Sequence, residues 1–117
     1  MPFVKVHISA LEAPAKKPLL AKRLREVMIE KLQLDEKFGQ VLLYDTVPQH
    51  RTCSSERDSR YVFIEVIMQP GRTAEMKKAL MWGLIQETEK ILGIHASDIN
   101  CCVQELPQEN WLGGMSK

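Results

Sequence analysis

Three widely separated residues of this 117-residue chain carry groups that could cooperate in a proton transfer. Pro2 follows the first methionine, so removal of Met1 would leave a secondary amine at the start of the chain. Alpha-amino groups titrate near pH 8, and partial burial or a nearby cation lowers the pKa, so Pro2 could act as a neutral base at about pH 7. Arg72 could supply that cation and hold a carboxylate or an enolate oxygen. Trp111 could then wall the pocket and exclude water.

Each of these residues also has an ordinary structural interpretation. Proline begins many chains, an arginine in a turn is commonly solvated, and a lone tryptophan commonly packs in a core or an interface. If Met1 stays attached, the nitrogen of Pro2 is a tertiary amide without a usable lone pair. The proposed roles of Pro2, Arg72 and Trp111 are therefore hypotheses, and they require a fold that brings the three residues together.

Hydrophobic periodicity predicts four strands. They are Phe3–Ile8, which alternates apolar and polar residues with a period of two, then Gln40–Thr46, Tyr61–Met68 and Ile99–Glu105. The third of these is the most hydrophobic, which favours a central position in a sheet. A polar stretch without periodicity, Gln49–Ser59, reads as a loop between two halves of the chain.

Two helices are predicted between the strands of each half. The first runs from about Leu19 to Leu34, and its predicted buried stripe is Leu20, Leu24, Val27, Met28 and Leu32. The second runs from Ala74 to Leu92, with Thr73 as its N-cap and Gly93 as its C-cap. Its predicted buried stripe is Met76, Leu80, Leu84, Ile91 and Leu92.

The halves repeat one strand–helix–strand unit, over about 2–48 and 60–114, within a single predicted domain of residues 1–117. Two such βαβ units with right-handed crossovers predict an α+β fold: a four-stranded sheet with both helices on one face. The other face would be uncovered, and it would carry Phe3, Tyr61, Phe63 and Ile67 beside Lys5, His7 and Glu65. A half-apolar open face of this size predicts self-association around a closed ring.

Composition argues against several classes of protein. The net charge of +1 and the lack of a basic run interleaved with aromatic residues give no case for a nucleic-acid partner. No apolar run approaches the length of a membrane span. Three cysteines, two of them adjacent, cannot form a disulfide framework, so we expect reduced thiols in a cytoplasmic protein. Cys101 and Cys102 should point to opposite faces of a strand and should not chelate one metal together.

Several short motifs occur in a fixed order along the chain. They are Met1-Pro2 at the head of a strand, Gly71-Arg72-Thr73, Leu92-Gly93-Ile94 followed by Asp98, and Glu105-x-Pro107-x-x-Asn110-Trp111 before Gly113-Gly114. With this set the chain resembles the tautomerase superfamily, the group of 4-oxalocrotonate tautomerase and macrophage migration inhibitory factor. It looks most like the malonate semialdehyde decarboxylase-like branch, because Thr46-Val47-x-Gln49-His50-Arg51 also fits.

The resemblance implies a homotrimer that needs no cofactor and no metal and acts on a small anionic 2-oxo or enol acid. It implies catalytic roles for Pro2 and Arg72, and substrate-binding roles for Trp111, His50 and Arg51. Tyr44 is a further binding candidate, because Tyr44 or Asp45 could replace an acidic residue of the branch if the strand register differs.

The chain departs from that branch at two positions. Its members carry an aspartate early in the second strand, where this chain has Leu42, and two arginines at the strand–helix turn, where it has Pro70 and Arg72. Decarboxylation and hydration need an acid–base partner and a carboxylate clamp, so keto–enol tautomerisation is the function predicted first. The alternatives are a related decarboxylase or hydratase, a non-catalytic trimeric binding or structural protein of the same fold, and an isolated ferredoxin-like regulatory domain. The last explains neither Pro2 nor Trp111.

Overall fold

The computed structural model describes residues 2–115, which form one mixed four-stranded sheet covered by two helices. The elements in chain order are β1 (Phe3–Ser9), α1 (Lys16–Leu32), β2 (Gln40–Thr46), β3 (Val62–Met68), α2 (Ala74–Leu92) and β4 (Ile99–Glu105). The strand order is β2-β1-β3-β4, in which β1 pairs in parallel with β2, β3 in parallel with β4, and the two central strands are antiparallel. The predicted fold class and the central place of the third strand are confirmed. Among residues 2–115, no helix is both long enough and apolar enough to cross a membrane.

The ends of the helices follow from local chemistry. The hydroxyl of Thr73 accepts a hydrogen bond from the backbone N–H of Met76 at 3.1 Å, which caps α2 as predicted. Gly93, at φ 68°, ends α2 in the left-handed conformation that glycine adopts without strain. Helix α1 begins at Lys16, earlier than the predicted Leu19, because Pro18 lies in the first turn, where a proline needs no N–H bond.

The core lies between the sheet and the helices. The inward side of the central strands is made of residues that are at most 2% exposed, namely Val4, Val6, Ile8, Val62, Ile64, Val66 and Met68. The stripe predicted for α1 is buried as expected. The prediction of the buried stripe of α2 was wrong in part. Met76 and Ile91 are only half-buried, and Gly83 and Thr88, which were not predicted, are buried.

Gly83 and Thr88 are buried for different reasons. A Cβ added to Gly83 would lie 2.9 Å from a methyl carbon of Val27, so the absence of a side chain is what lets α1 and α2 approach closely there. The hydroxyl of Thr88 donates to the carbonyl of Leu84 at 2.7 Å, so it enters the core without an unsatisfied polar group. Apolar periodicity identifies neither residue, because neither is a large hydrophobe.

A constant offset of 60 relates the two βαβ units. Phe3 pairs with Gln40 in the first unit, and Phe63 pairs with Asn100 in the second. Each residue of the second pair thus has a number 60 higher than its counterpart in the first. The same offset takes the left-handed C-cap of α1, Gln33, to that of α2, Gly93. It also takes the short 3-10 turn Pro48–His50 to the turn Gln108–Asn110. The antiparallel pairing of Lys5 with Glu65 places the internal two-fold axis at the middle of the sheet.

Candidate functional site

The strands bring four chain segments to one edge of the molecule, here called the Pro2 end. Because β1 and β2 run away from this edge while β3 and β4 run towards it, the starts of β1 and β2 meet the segments that follow β3 and β4. Pro2 itself is buried, and its carbonyl accepts a hydrogen bond from the N–H of Gln40 at 3.1 Å. The N–H of Leu106, just after β4, donates to the carbonyl of Met68 at 2.8 Å. The first bond holds Pro2 against the start of β2, and the second joins the segment after β4 to the end of β3.

Arg72 lies in the loop that leaves β3 at this same end. It follows Gly71, whose φ of 126° is open to glycine and disfavoured for other residues, and it precedes the N-cap of α2. The side chain is half-buried, and it has no hydrogen bond or ion pair to any residue from 2 to 115. A guanidinium that is held by a tight turn and has no internal partner is available for an anionic ligand.

Trp111 also reaches the Pro2 end, from the segment after β4. Its backbone N–H closes the 3-10 turn by donating to the carbonyl of Gln108 at 3.1 Å. Its ring lies 5.6 Å from the ring of Phe3, at an interplanar angle of 43°. Trp111 therefore covers the residue next to Pro2 on the uncovered face of the sheet, as a pocket wall would.

Tyr44, His50 and Arg51 lie at the opposite end of the sheet within one protomer. Strand β1 separates the two ends by about 20 Å, since seven residues each advance the chain by about 3.3 Å. His50 is exposed in the 3-10 turn that follows β2. Arg51 donates from Nε to the carbonyl of Ser59 at 3.1 Å and lies over the ring of Tyr61, 4.0 Å from its centroid. Of the six predicted site residues, Pro2, Arg72 and Trp111 lie at the Pro2 end. Tyr44, His50 and Arg51 lie away from that end in the same protomer.

The centre of the uncovered face holds a polar pair between aromatic rings. Nε2 of His7 lies 2.6 Å from a carboxylate oxygen of Glu65. The imidazole is stacked between the ring of Tyr44, at 5.0 Å, and the ring of Phe63, at 5.9 Å. Lys5 approaches the Tyr44 ring, with Nζ 6.0 Å from the centroid. Tyr44 thus packs on His7 in this protomer instead of approaching Pro2.

The second strand places Gln40, and not Leu42, beside Pro2. Leu42 pairs with Lys5 further along the strand, where it is 46% exposed on the uncovered face. Asp45 faces the helices, and its carboxylate accepts a hydrogen bond from Nζ of Lys17 at 2.6 Å. That bond lowers the pKa of Asp45 and commits its charge to α1. Within one protomer, Asp45 therefore does not lie beside Pro2, where the missing aspartate was expected.

Gln40 is the residue at the Pro2 end that sequence reasoning did not single out. It pairs with Phe3, so its exposed side chain lies on the same face as Phe3 and the ring of Trp111. The sequence predicts strands that begin at Phe3 and Gln40, but it does not show which of their residues pair. The position of Pro2 relative to that register had to come from the structure.

The two thiols of β4, Cys101 and Cys102, are poor candidates for nucleophilic chemistry. Burial raises the pKa of Cys101 to about 12, and it also raises the pKa of Cys102. Cys101 faces the helices and Cys102 the uncovered face, as the strand period predicted. Among the described residues, no group of three or more histidine, cysteine, aspartate or glutamate side chains could hold a metal ion.

Comparisons with known proteins agree with the fold described above. The model of a family described as tautomerase enzymes matches residues 40–113 of this chain. No curated protein matches. Among solved structures, a fused 4-OT symmetric trimer has a TM-score of 0.89 at 22% identity, over 98% of this chain and 94% of that one. A malonate semialdehyde decarboxylase inhibited by 3-bromopropiolate has a TM-score of 0.84 at 18% identity, over 98% of this chain and 91% of that one. A further structure of malonate semialdehyde decarboxylase has a TM-score of 0.82 at 18% identity, over 98% and 92% of the two chains.

Proposed function

This chain belongs to the tautomerase family, and from that premise we propose that it is a cofactor-independent tautomerase of small 2-oxo or enol acids. The observation that carries the proposal is the meeting of Pro2, Arg72 and Trp111 at one end of the sheet. A base, a cation without an internal partner and an aromatic wall are what keto–enol proton transfer requires.

In the proposed reaction, removal of Met1 exposes the Pro2 amine. The neutral amine takes the hydroxyl proton of the enol, the electron pair returns to form the carbonyl, and the resulting ammonium protonates carbon 3. Arg72 binds the carboxylate and disfavours protonation of the amine. Gln40 pairs with the residue next to Pro2 and offers an amide to the substrate oxygen. Trp111 limits the access of water.

Decarboxylation and hydration are less well supported. The residues expected to supply a second acid–base group do not approach Pro2, since Leu42 pairs with Lys5 and Asp45 binds Lys17. The turn before α2 offers Arg72 but has proline at position 70. Tautomerisation needs only one base and one carboxylate clamp, which are the roles proposed for Pro2 and Arg72.

We further propose that the protein works as a homotrimer. Fused 4-OT proteins of similar fold are described as symmetric and asymmetric trimers. The uncovered face of this protomer exposes large side chains along β2, with Leu42 at 46% and Tyr44 at 42% exposure, and a ring of three subunits would bury such surfaces. Any contribution of Tyr44, His50 or Arg51 to the Pro2 site would come from a neighbouring subunit.

Ketonisation of phenylenolpyruvate tests the proposed function. Protein whose intact mass shows loss of one methionine should accelerate the reaction, with a rate that rises with pH until the amine is unprotonated and then stays level. A matched sample with an N-terminal extension carries a tertiary amide at Pro2 and should be inactive. Pro2→Ala keeps a primary amine and should retain part of the rate. Equal rates for the extended and processed proteins would place the base elsewhere and would exclude a role for Pro2.

A non-catalytic trimer with the same fold makes the opposite prediction. Such a protein, with or without Met1, would not accelerate the ketonisation of phenylenolpyruvate above the uncatalysed rate. An acid such as pyruvate could then still bind at Arg72, and a titration that detects binding without turnover would identify that function.

A further inference from the structure

The internal two-fold axis maps the Pro2 end onto the opposite end of the sheet. With the offset of 60 residues, the counterparts of Pro2, Arg72 and Trp111 are Val62, Glu12 and Arg51. Trp111 and Arg51 each close a 3-10 turn after an outer strand. Each also packs on an aromatic ring, Trp111 on Phe3 and Arg51 on Tyr61. The two ends are thus built alike and carry different chemistry.

A cleft occupies that opposite end. It consists of a small cavity of about 70 Å³ and an adjoining open groove of about 420 Å³, which share Thr52, Cys53 and Tyr61 in their walls. The groove is also lined by Phe63 and Asn100, which are the counterparts of Phe3 and Gln40. The cleft therefore lies where the repeat places the equivalent of the Pro2 site.

The walls of the cleft suit a flat anion. Tyr61 and Phe63 provide aromatic surface, and Arg57 provides a positive charge. The Arg57 side chain has no hydrogen bond or ion pair within residues 2–115. Arg51 lies over Tyr61 at the edge of the small cavity and donates to backbone carbonyls there. Hydroxyl and amide groups of Thr52, Ser54 and Asn100 complete the lining.

Two acidic residues near the cleft, Glu12 and Asp58, have partners of their own, whereas Glu56 has none among residues 2–115 and makes no ion pair with Arg57. Glu12, the counterpart of Arg72, is 4% exposed, and its carboxylate accepts two hydrogen bonds of 2.8 Å from Arg60. One carboxylate oxygen of Asp58 accepts from the N–H of Arg60 at 2.8 Å. Glu56, which directly precedes Arg57 in the sequence, is exposed. Neither Glu12 nor Asp58 is free to neutralise Arg57.

We propose that this cleft is a second binding site, for a small planar aromatic carboxylate, which binds there without reacting. The carboxylate contacts Arg57, and the ring lies against Tyr61 and Phe63. No proton transfer occurs, because the counterpart of the Pro2 nitrogen is the peptide nitrogen of Val62, which has no basic lone pair. This site is separate from the Pro2 site and does not depend on the tautomerase activity.

The cleft remains compatible with a trimer. The internal two-fold relates the two ends of each sheet, so in a ring whose three-fold axis is perpendicular to that two-fold, both ends of the sheet would have similar surroundings. Three such clefts would accompany three Pro2 sites in each trimer.

A titration of the ¹⁵N-labelled protein with benzoate tests the proposal, since benzoate is planar, anionic and unable to tautomerise. We expect the amide signals of Thr52, Ser54 and Asn100 to shift with millimolar affinity, about 4 kcal/mol of binding free energy. The shifts should persist in Arg72→Gln, which removes the clamp of the other site. They should need about tenfold more benzoate in Arg57→Gln, because a charge-assisted contact is lost. The control Lys78→Gln, on the exposed face of α2, should bind as the parent does.

Benzamide provides a second measurement that needs no variant. It has the same ring and no charge, so it should shift the three amides at least about tenfold less effectively than benzoate does. If benzoate and benzamide act equally, or if the amides at the cleft stay unshifted while those near Arg72 move, the cleft is not a carboxylate site. Loss of benzoate shifts at the cleft in Arg72→Gln would likewise overturn the assignment, by showing that the two ends are not separate sites.

Discussion

Arg72 combines a proposed catalytic role with few contacts that stabilise the fold. Its side chain has no partner among the described residues, so Arg72→Ala leaves neither a cavity nor an unpaired buried charge. We expect the variant to keep its melting temperature within a few degrees and to lose activity on phenylenolpyruvate by about tenfold or more. Thermal unfolding and steady-state kinetics measure the two effects.

Lys78→Ala is the matched control for Arg72→Ala, because it removes one positive charge from the exposed side of α2. It should keep both the stability and the rate. Similar rate losses in the two variants would show that net charge, and not the position of Arg72, governs binding.

Arg60 has the opposite character, because it joins three parts of the chain. Its guanidinium holds the buried carboxylate of Glu12 in the loop before α1 and donates to the carbonyl of Leu92 at the end of α2, at 2.7 Å. Arg60→Met should cost about 2–3 kcal/mol of unfolding free energy in urea, because it leaves the Glu12 carboxylate buried without its partner. This lies below the range for fully buried pairs, since Arg60 is 40% exposed.

The double variant Glu12→Gln with Arg60→Met separates the cost of an unpaired charge from the loss of packing. It should recover part of the stability lost in Arg60→Met, because no buried charge remains. If the double variant is as unstable as the sum of the single ones, the two side chains act independently and the pair is not what stabilises this loop.

At the scale of the elements, α1 and α2 are joined by an ion pair whose strength depends on pH. Arg23 donates to Glu87 across the two helices at 3.0 Å, and this bond lowers the pKa of Glu87. A carboxyl group with a lowered pKa in the folded state adds stability above its ordinary value of about 4.5, and that stability is lost as the pH falls through the lowered value.

Glu87→Gln should therefore destabilise the protein by about 0.5–1 kcal/mol at pH 7, since Arg23 is partly exposed. The difference from the parent should shrink steadily below about pH 4.5, as the parent's carboxyl group becomes protonated. Urea unfolding at a series of pH values measures this. Glu56→Gln, in an exposed loop, should show no such trend. A difference that stays constant down to pH 3 would mean that packing, and not charge, is responsible.

The elements also show how far the sequence could predict the structure. The strands and the buried stripe of α1 were predicted closely, because large apolar residues alternate or recur at regular spacing. Gly83 and Thr88 were missed, because a close helix contact and a satisfied hydroxyl leave no periodic signal. The bonds from Arg60 to Glu12 span 48 positions of the chain, and only the folded structure shows such a pairing.

The candidate site was predicted less completely than the fold. Pro2, Arg72 and Trp111 could be named from motifs, and the fold brings them to one end. Gln40 needed the register of β1 and β2, and the separation of Arg51 from Pro2 needed the direction of every strand. Residue types identify candidate chemistry, while the strand order decides which candidates can meet.

The whole molecule is expected to close its uncovered face against other subunits. Leu42→Lys adds a charge beside Lys5 on that face, at a position that is exposed in the protomer. The fold should survive, as judged by circular dichroism, and sedimentation at micromolar concentration should show monomers, because the charge could not be buried at a subunit contact.

Leu19→Lys serves as the control for the assembly. Leu19 is 55% exposed on α1, on the helical side of the molecule, so its replacement should leave the trimer intact. Monomers in the parent protein would contradict the proposed assembly, and trimers in Leu42→Lys would show that another surface mediates it.

The burial of Pro2 imposes an order on the protein's maturation. Its carbonyl is bound by the edge strand β2 and its ring is shielded from solvent, so a processing enzyme has no access to this residue once the sheet has formed. Under the proposed mechanism, methionine excision would therefore have to precede the formation of the sheet, and a molecule that folded before excision would keep a blocked nitrogen for as long as it stayed folded. In a cell, the active fraction would then be decided during translation and would follow the supply of aminopeptidase at the ribosome.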